Sequence, residues 1–142
     1  SIIYDLPRYI NTDFALLVHS DGYIINADCW DFKFLEYDYI GAPWPLPTDS
    51  YSYRDQRGTI QRVGNSVSLR SKKLLGIAKE HNLEWKPFHG FSNEDGFISV
   101  NHRKELEREG FKYGTLEQAI HFSKEHSIPE NERLSTFCFH AI

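Results

Sequence analysis

The run FALLV at residues 14–18, followed at once by His19-Ser20-Asp21-Gly22, constrains this chain more than any other stretch. An apolar run this short, closed by a turn signal, suits a buried strand better than a helix. An acid followed by glycine at such a strand end places a carboxylate in the crevice beyond the sheet, where open α/β sheets carry their chemistry. Gly22 would let the chain turn sharply there and let a ligand approach the backbone. A second β-type run, YDYI at 37–40, ends in GAPW at 41–44. Two such strand ends suggest one rim bearing a carboxylate and a large aromatic ring. The fold class expected is α/β, with strands at 14–19, 38–40 and 66–70 in one sheet and helices near 72–81, 95–109 and 116–126.

Composition narrows the function classes. The chain has 142 residues, enough for one domain with a real core. Its formal net charge of −4 argues against general nucleic-acid binding. The aromatic fraction of 15% is rich enough to serve both core packing and platforms for sugar rings or bases. Cys29 and Cys138 lie far apart, demand no disulfide framework and suit a reducing, cytoplasmic compartment. No apolar run approaches the roughly 20 residues of a membrane helix, and no signal peptide is visible. The chain opens at Ser1 and contains no Met, which points to a segment of something longer.

Taken in order, residues 1–13 suit a short strand or a docking arm. Residues 28–36 suit a short helix, since Trp30, Phe34 and Leu35 recur at helical spacing. A long loop follows from 41 to 62, with Pro43, Pro45 and Pro47; loops of that length are usually functional or disordered. From 54 to 73 the balance turns basic, with Arg54, Arg57, Arg62, Arg70, Lys72 and Lys73 against Asp55. This is either a solvated rim or a site for a phosphorylated ligand. VGNSVSLR at 63–70 reads as a turn and then a strand. Ser71 is the cap of the next helix, Gly110 the stop of the third, and Thr115-x-x-Gln118 a capping box for the fourth.

Three constellations could carry chemistry. Asp21 at its strand end could hold a divalent cation, or could simply suit an Asp-Gly turn. Glu94-Asp95 could supply a general base, or could be a helix start stabilised by the dipole, since Ser92-x-x-Asp95 is also a capping pattern. His140, between Phe139 and Ala141, could be a metal ligand or a satisfied core imidazole. A Cys138–His140 nucleophile pair is disfavoured, because i and i+2 on a strand share a face without meeting. Zinc is disfavoured too, since there is no Cys-x-x-Cys and no His-x-x-x-His.

The blocks SDGYIIN at 20–26, FLEYDYIGAPWP at 34–45, VGNSVSLRS at 63–71, EDGFI at 94–98 and FCFHAI at 137–142 resemble a bacterial family of uncharacterised glycosyltransferase-like proteins. That family is assigned to the GT-A nucleotide-sugar transferase superfamily, and order and spacing agree from about residue 14 to the C-terminus. The resemblance implies a GT-A-like mixed sheet flanked by helices, forming one domain over 1–142. It also implies that part of the N-terminal, Rossmann-like half that binds the nucleotide base is missing from this chain.

Carried over residue by residue, the resemblance makes Asp21 the acid of the metal-binding strand end, one acid where many members have two. His140 becomes the C-terminal contact to metal or diphosphate. Asp95, with Glu94, becomes the catalytic base pair of inverting members. Trp44, Asn65, Ser66 and Arg70 fall to substrate binding. Ser66-Val67 stand where the family has two glycines, adding side chains where close approach is expected. The activity implied is transfer of a sugar from a nucleotide-sugar donor to a saccharide or other hydroxyl acceptor, with Mn²⁺ or Mg²⁺ as cofactor. Two alternatives stay open: a non-catalytic sugar-binding or scaffold module on a degenerate transferase fold, and a metal-dependent phosphoester hydrolase using Asp21, Asp95 and His140.

Overall fold

A computed structural model describes residues 5–80 and 96–140, the side chains of Asn65, Ser66, Ala78, Lys79 and Phe97 excepted. It is a mixed α/β arrangement built on two small three-stranded sheets. The first sheet holds β1 (Phe14–Leu17), β3 (Tyr39–Pro43) and β4 (Val63–Ser71) in the order β1-β4-β3. The three expected strands therefore do share one sheet. Both of its pairings are antiparallel, with Leu16 opposite Leu69 and Ile40 opposite Leu69 from the other side.

Strand β4 organises the two cores because side chains alternate across a pleated strand. Val63, Val67 and Leu69 face a cluster with Phe34, Ile40, Ala119, Phe122, Phe137 and Cys138. Residues of the other parity turn away from it. Arg70 lies over the Tyr39 ring at 5.2 Å, and Tyr39 belongs to the second cluster with Leu74, Ile77, Ile98, Leu106, Phe111 and Tyr113. The first cluster is strongly aromatic. Phe34 meets Phe122 edge-on at 5.2 Å, and Trp30 meets Phe137 at 5.1 Å. Each such pair adds about 0.5–1.5 kcal/mol beyond its buried area.

A second sheet, which no run in the sequence signals, accompanies the first. It has the order β2-β6-β5, from β2 (Gly22–Ile24), β5 (Ser123–Lys124) and β6 (Cys138–His140). β2 runs antiparallel to β6, and β5 runs parallel to it. None of these strands exceeds three residues, too short a run for period-2 alternation to declare itself.

Several boundaries shift for physical reasons. The expected helix over 72–81 is two short pieces, α1 (Lys72–Leu75) and α2 (Ile77–Glu80), divided at Gly76, where glycine weakens a helix interior. Within the expected 95–109 helix, Gly96 is α-helical, Phe97–Asn101 is a π-helical turn, and α3 (Arg103–Arg108) follows. α4 (Leu116–Phe122) ends four residues early, because Phe122 is fully buried and the chain turns extended at Ser123 to join β6. VGNS is strand, not turn, since β4 begins at Val63. Where a helix over 28–36 was expected there are two 3-10 turns, Ala27–Cys29 and Phe32–Glu36, parted by the extended Trp30 and Asp31, and Leu6–Tyr9 is a 3-10 turn where a strand or arm was expected. The caps held. Ser71 Oγ accepts from Leu74 N at 3.1 Å, Thr115 Oγ1 accepts from Gln118 N at 3.3 Å, and Gly110 stops α3 with φ +92°.

Candidate metal centre

β1 ends at Leu17, and a turn follows in which Gly22 N donates to His19 O at 3.0 Å. That closure brings His19 and Asp21 to the same small loop and delivers the chain into β2. Gly22 then sits directly opposite His140 in the β2–β6 pair. β6 is the central strand of its sheet, so His140 is held between two neighbours and is only 7% exposed. The outcome is a cluster of His19, Asp21 and His140 whose candidate ligand atoms all lie within 4.8 Å of one another. His140 Nε2 is 3.1 Å from Asp21 Oδ1.

Behind the cluster stands Glu125, just past β5. Its Oε1 is 3.1 Å from His140 Nδ1. The two groups touch, yet their alignment is not that of a hydrogen bond, and both His140 Nδ1 and the buried Glu125 Oε2 lack a hydrogen-bond partner among the described residues. The His140 imidazole thus stands between two carboxylates, with one ring nitrogen and one buried carboxylate oxygen left without a hydrogen-bond partner among the described residues. Glu125 also acts further out. Burial holds the Tyr53 phenol above its ordinary range, and the carboxylates of Asp49 and Glu125 push the same way. Tyr53 in turn stacks on Trp44 with ring centroids 4.9 Å apart, and its own backbone is left-handed at φ 59°, a conformation held only where surroundings enforce it.

The glycine of the Asp-Gly pair has a different purpose from the one expected. Gly22 does not adopt a positive φ; among the described glycines only Gly58 and Gly110 do. What forbids a side chain there is Val67, whose Cγ2 would lie 2.8 Å from an added Cβ, with His140 Cδ2 at 3.4 Å. Gly22 is thus a close-packing glycine that lets β2 lie against β4. Val67 itself is fully buried in the aromatic core.

The substrate-side residues fare unevenly. Trp44 is 3% exposed and lies under Tyr53, so it serves as packing beneath the loop rather than as an open stacking platform. Arg70 is 2% exposed, donates to Ser68 Oγ at 2.9 Å and covers the Tyr39 ring. It is placed in the sheet away from the cluster, because the parity that turns Val67 and Leu69 to one core turns Arg70 to the other. Asn65 and Ser66 lie within β4. Glu94, Asp95 and the aromatic stretch at 85–91 lie outside the described residues.

In the basic stretch at 54–73, Arg57, Lys72 and Lys73 are exposed, as a solvated rim would have them, and Arg54, Arg57, Arg62 and Lys73 have partners within the protein. Arg54 donates to the Asp49 and Ser52 carbonyls, and Arg62 to the Trp44 carbonyl and to Glu130. Arg57 bridges Asp55 and Glu107 at 2.6 and 2.8 Å, and Lys73 lies over the Phe111 ring at 5.0 Å. Arg57 and Arg62 stitch the long loop to the body of the fold through Glu107 and Glu130. The loop's anchor is Asp55, whose carboxylate accepts from Arg57, Thr59 N and Gln61.

Two residues escaped sequence reasoning. His19 was visible one position before Ser20, as a His-x-Asp pair at the strand end, and that spacing could have nominated it. Glu125 carried no signal, since only the parallel β5–β6 pairing brings it to His140. No helix among the described residues is long and apolar enough to cross a membrane.

No curated protein and no solved structure matches this chain. A family model described as "Protein of unknown function (DUF5672)" matches residues 5–140, nearly the whole length, and the chain belongs to that family.

Proposed function

We propose that the protein is a metal-dependent glycosyltransferase with a GT-A-like fold, moving a sugar from a nucleotide-sugar donor to a hydroxyl acceptor. The observation that carries the reading is the meeting of Asp21 and His140 across the β2–β6 pair, with Nε2 and Oδ1 3.1 Å apart. The resemblance in sequence names these two residues as the metal contacts, and they are far apart in the chain. Their convergence at one spot is what the reading requires.

The donor set fits a divalent cation. It offers carboxylate oxygen and imidazole nitrogen at the surface, backed by a buried carboxylate oxygen without a partner. Asp21 and His140 would hold the ion, with Mn²⁺ or Mg²⁺ the ions the resemblance implies. A bound cation supplies Lewis acidity toward a diphosphate leaving group, worth several kcal/mol of charge stabilisation. The chain's own residues do the rest. β6 fixes the His140 ring by burial, Glu125 lies against its far nitrogen, and the 19–22 turn presents Asp21, 58% exposed at its side chain, toward solvent where a nucleotide diphosphate would arrive. Asp95, with Glu94, is the base that the resemblance nominates for the acceptor hydroxyl.

Calorimetric titration with UDP and GDP, in Mn²⁺ and then in EDTA, tests the reading. Binding that needs Mn²⁺ and disappears in Asp21→Ala supports it. Equal affinity in Mn²⁺ and EDTA removes the metal site, and the non-catalytic module becomes the better account.

A further inference from the structure

The geometry points to His19 as the residue that sets which metal the centre accepts: a second imidazole turns a site open to Mg²⁺ into one selective for a transition-metal ion of the Mn²⁺ to Zn²⁺ series. This inference rests on the metal reading of Asp21 and His140 and adds to it a ligand and a selectivity.

His19 reaches the cluster by construction. The hydrogen bond from Gly22 N to His19 O closes the turn, so the His19 backbone is fixed relative to Asp21. The same Gly22 is in register with His140. The His19 and His140 rings stand 5.1 Å apart, centroid to centroid, with planes at 77°. Imidazole lone pairs lie in the ring plane, so two nearly perpendicular rings can direct nitrogens at one point from different sides. Ligand atoms on a common ion at about 2.1 Å are separated by about 3 Å when adjacent. The observed cluster lies within 4.8 Å, and His19 and Asp21 are both exposed, so rotamer changes in two surface side chains suffice to contract it around an ion. His140, the buried member, need not move.

The chemistry follows from the donor atoms. Mg²⁺ takes oxygen ligands almost exclusively and gives up its waters reluctantly. Nitrogen donors favour first-row transition ions instead, least for Mn²⁺ and increasingly through Fe²⁺ to Co²⁺, with Zn²⁺ also well suited to imidazole. With Asp21 and His140 alone, one oxygen and one nitrogen leave both classes of ion acceptable. With His19 the count becomes two nitrogens and one oxygen, on contiguous faces, leaving further positions open for diphosphate oxygens. The competing account is that His19 merely packs its edge on the His140 ring.

The test is direct metal binding to the chelator-stripped protein, without substrate. Co²⁺ is titrated by its visible d–d absorption, then displaced by Mn²⁺ and by Mg²⁺. The wild type should bind one Co²⁺, yield it only to an excess of Mn²⁺, and require at least about 100-fold more Mg²⁺ than Mn²⁺ for the same displacement. His19→Ala should weaken Co²⁺ at least about tenfold while leaving Mg²⁺ within about twofold. His19→Asp should raise Mg²⁺ affinity and narrow the gap. The exposed His126→Ala serves as the control that changes nothing. If His19→Ala keeps both affinity and selectivity while Asp21→Ala loses Co²⁺, His19 is only a packing neighbour and the metal centre stands without it. Wild-type binding of Mg²⁺ as tight as Mn²⁺ overturns the selectivity. No binding of any ion overturns this inference and the metal-dependent transferase together.

Discussion

Asp21 and Glu125 sit at opposite nitrogens of one imidazole, that of His140, each with a carboxylate oxygen 3.1 Å from its nitrogen. The two acids differ in setting: the Asp21 side chain is 58% exposed and that of Glu125 only 15%. An exposed acid on the solvent side can bind and release. A half-buried one on the far side orients the ring and balances its charge. This division separates their expected phenotypes.

Asp21→Ala should abolish Mn²⁺-dependent binding of a nucleotide diphosphate and change stability by less than about 0.5 kcal/mol, as exposed positions do. His140→Ala should abolish the same binding but also cost about 1–3 kcal/mol, because it leaves the half-buried Glu125 carboxylate facing a void. Parallel calorimetry and urea melts measure both. A large stability loss in Asp21→Ala, with binding intact, would make the residue a turn former only.

Glu125→Gln should weaken Mn²⁺ binding by about 10- to 100-fold, the range seen when the partner behind a ligating histidine is altered. Size and burial are preserved, so the thermal midpoint should hold. Unchanged Mn²⁺ affinity would assign Glu125 to packing.

Gly22→Ala should destabilise the fold by about 1–3 kcal/mol, the cost of overpacking, since its Cβ would meet Val67 Cγ2 at 2.8 Å. Gly22→Ala combined with Val67→Ala should recover part of the Gly22→Ala loss relative to Val67→Ala alone. Additive losses in a double-mutant cycle would show that the two positions do not press on one another.

Asp55 and Glu107 predict the acid limb of stability. Burial pushes both carboxyls up, but hydrogen bonds from Arg57, Gln61 and the backbone on Asp55, and from Arg103 and Arg57 on Glu107, outweigh it and hold both below the ordinary range. With folded values below unfolded ones, the unfolded chain takes up protons first. The contribution is whole above about pH 5 and is lost as pH falls through about 4 toward the lower folded values. Asp55→Asn should lower stability at pH 7 and flatten the acid limb between pH 5 and 3, read from urea midpoints across pH. An unaltered acid limb would place the titrating groups elsewhere.

The two cysteines should separate chemically. Burial pushes the Cys138 thiol up to about 12, so at pH 8 only about one molecule in 10⁴ carries a thiolate there. Cys29 is part-exposed. Native protein should react with one equivalent of iodoacetamide and denatured protein with two, counted by mass spectrometry. Rapid native modification of Cys138 would mean that β6 opens readily.

By itself the sequence determined the features that act over a few residues. FALLV made a strand, Ser71 and Thr115 made caps and Gly110 made a stop, because apolar clustering, side-chain capping and positive φ are local physics. It also singled out Asp21 and His140, by resemblance. What tertiary structure decided is everything that depends on which distant strands pair. The second sheet exists because Phe122 anchors the end of α4 and Ser123 turns extended toward β6, a choice no short window encodes. The parity of β4 sent Val67 to the aromatic core and Arg70 to the opposite face, where it lies over the Tyr39 ring. The pairing of Gly22 with His140 gathered His19 and Asp21 around one ring, and the pairing of β5 with β6 put Glu125 behind it. A metal centre needs three or four side chains within a few ångströms, and only the folding of a chain back on itself brings together residues so far apart along it.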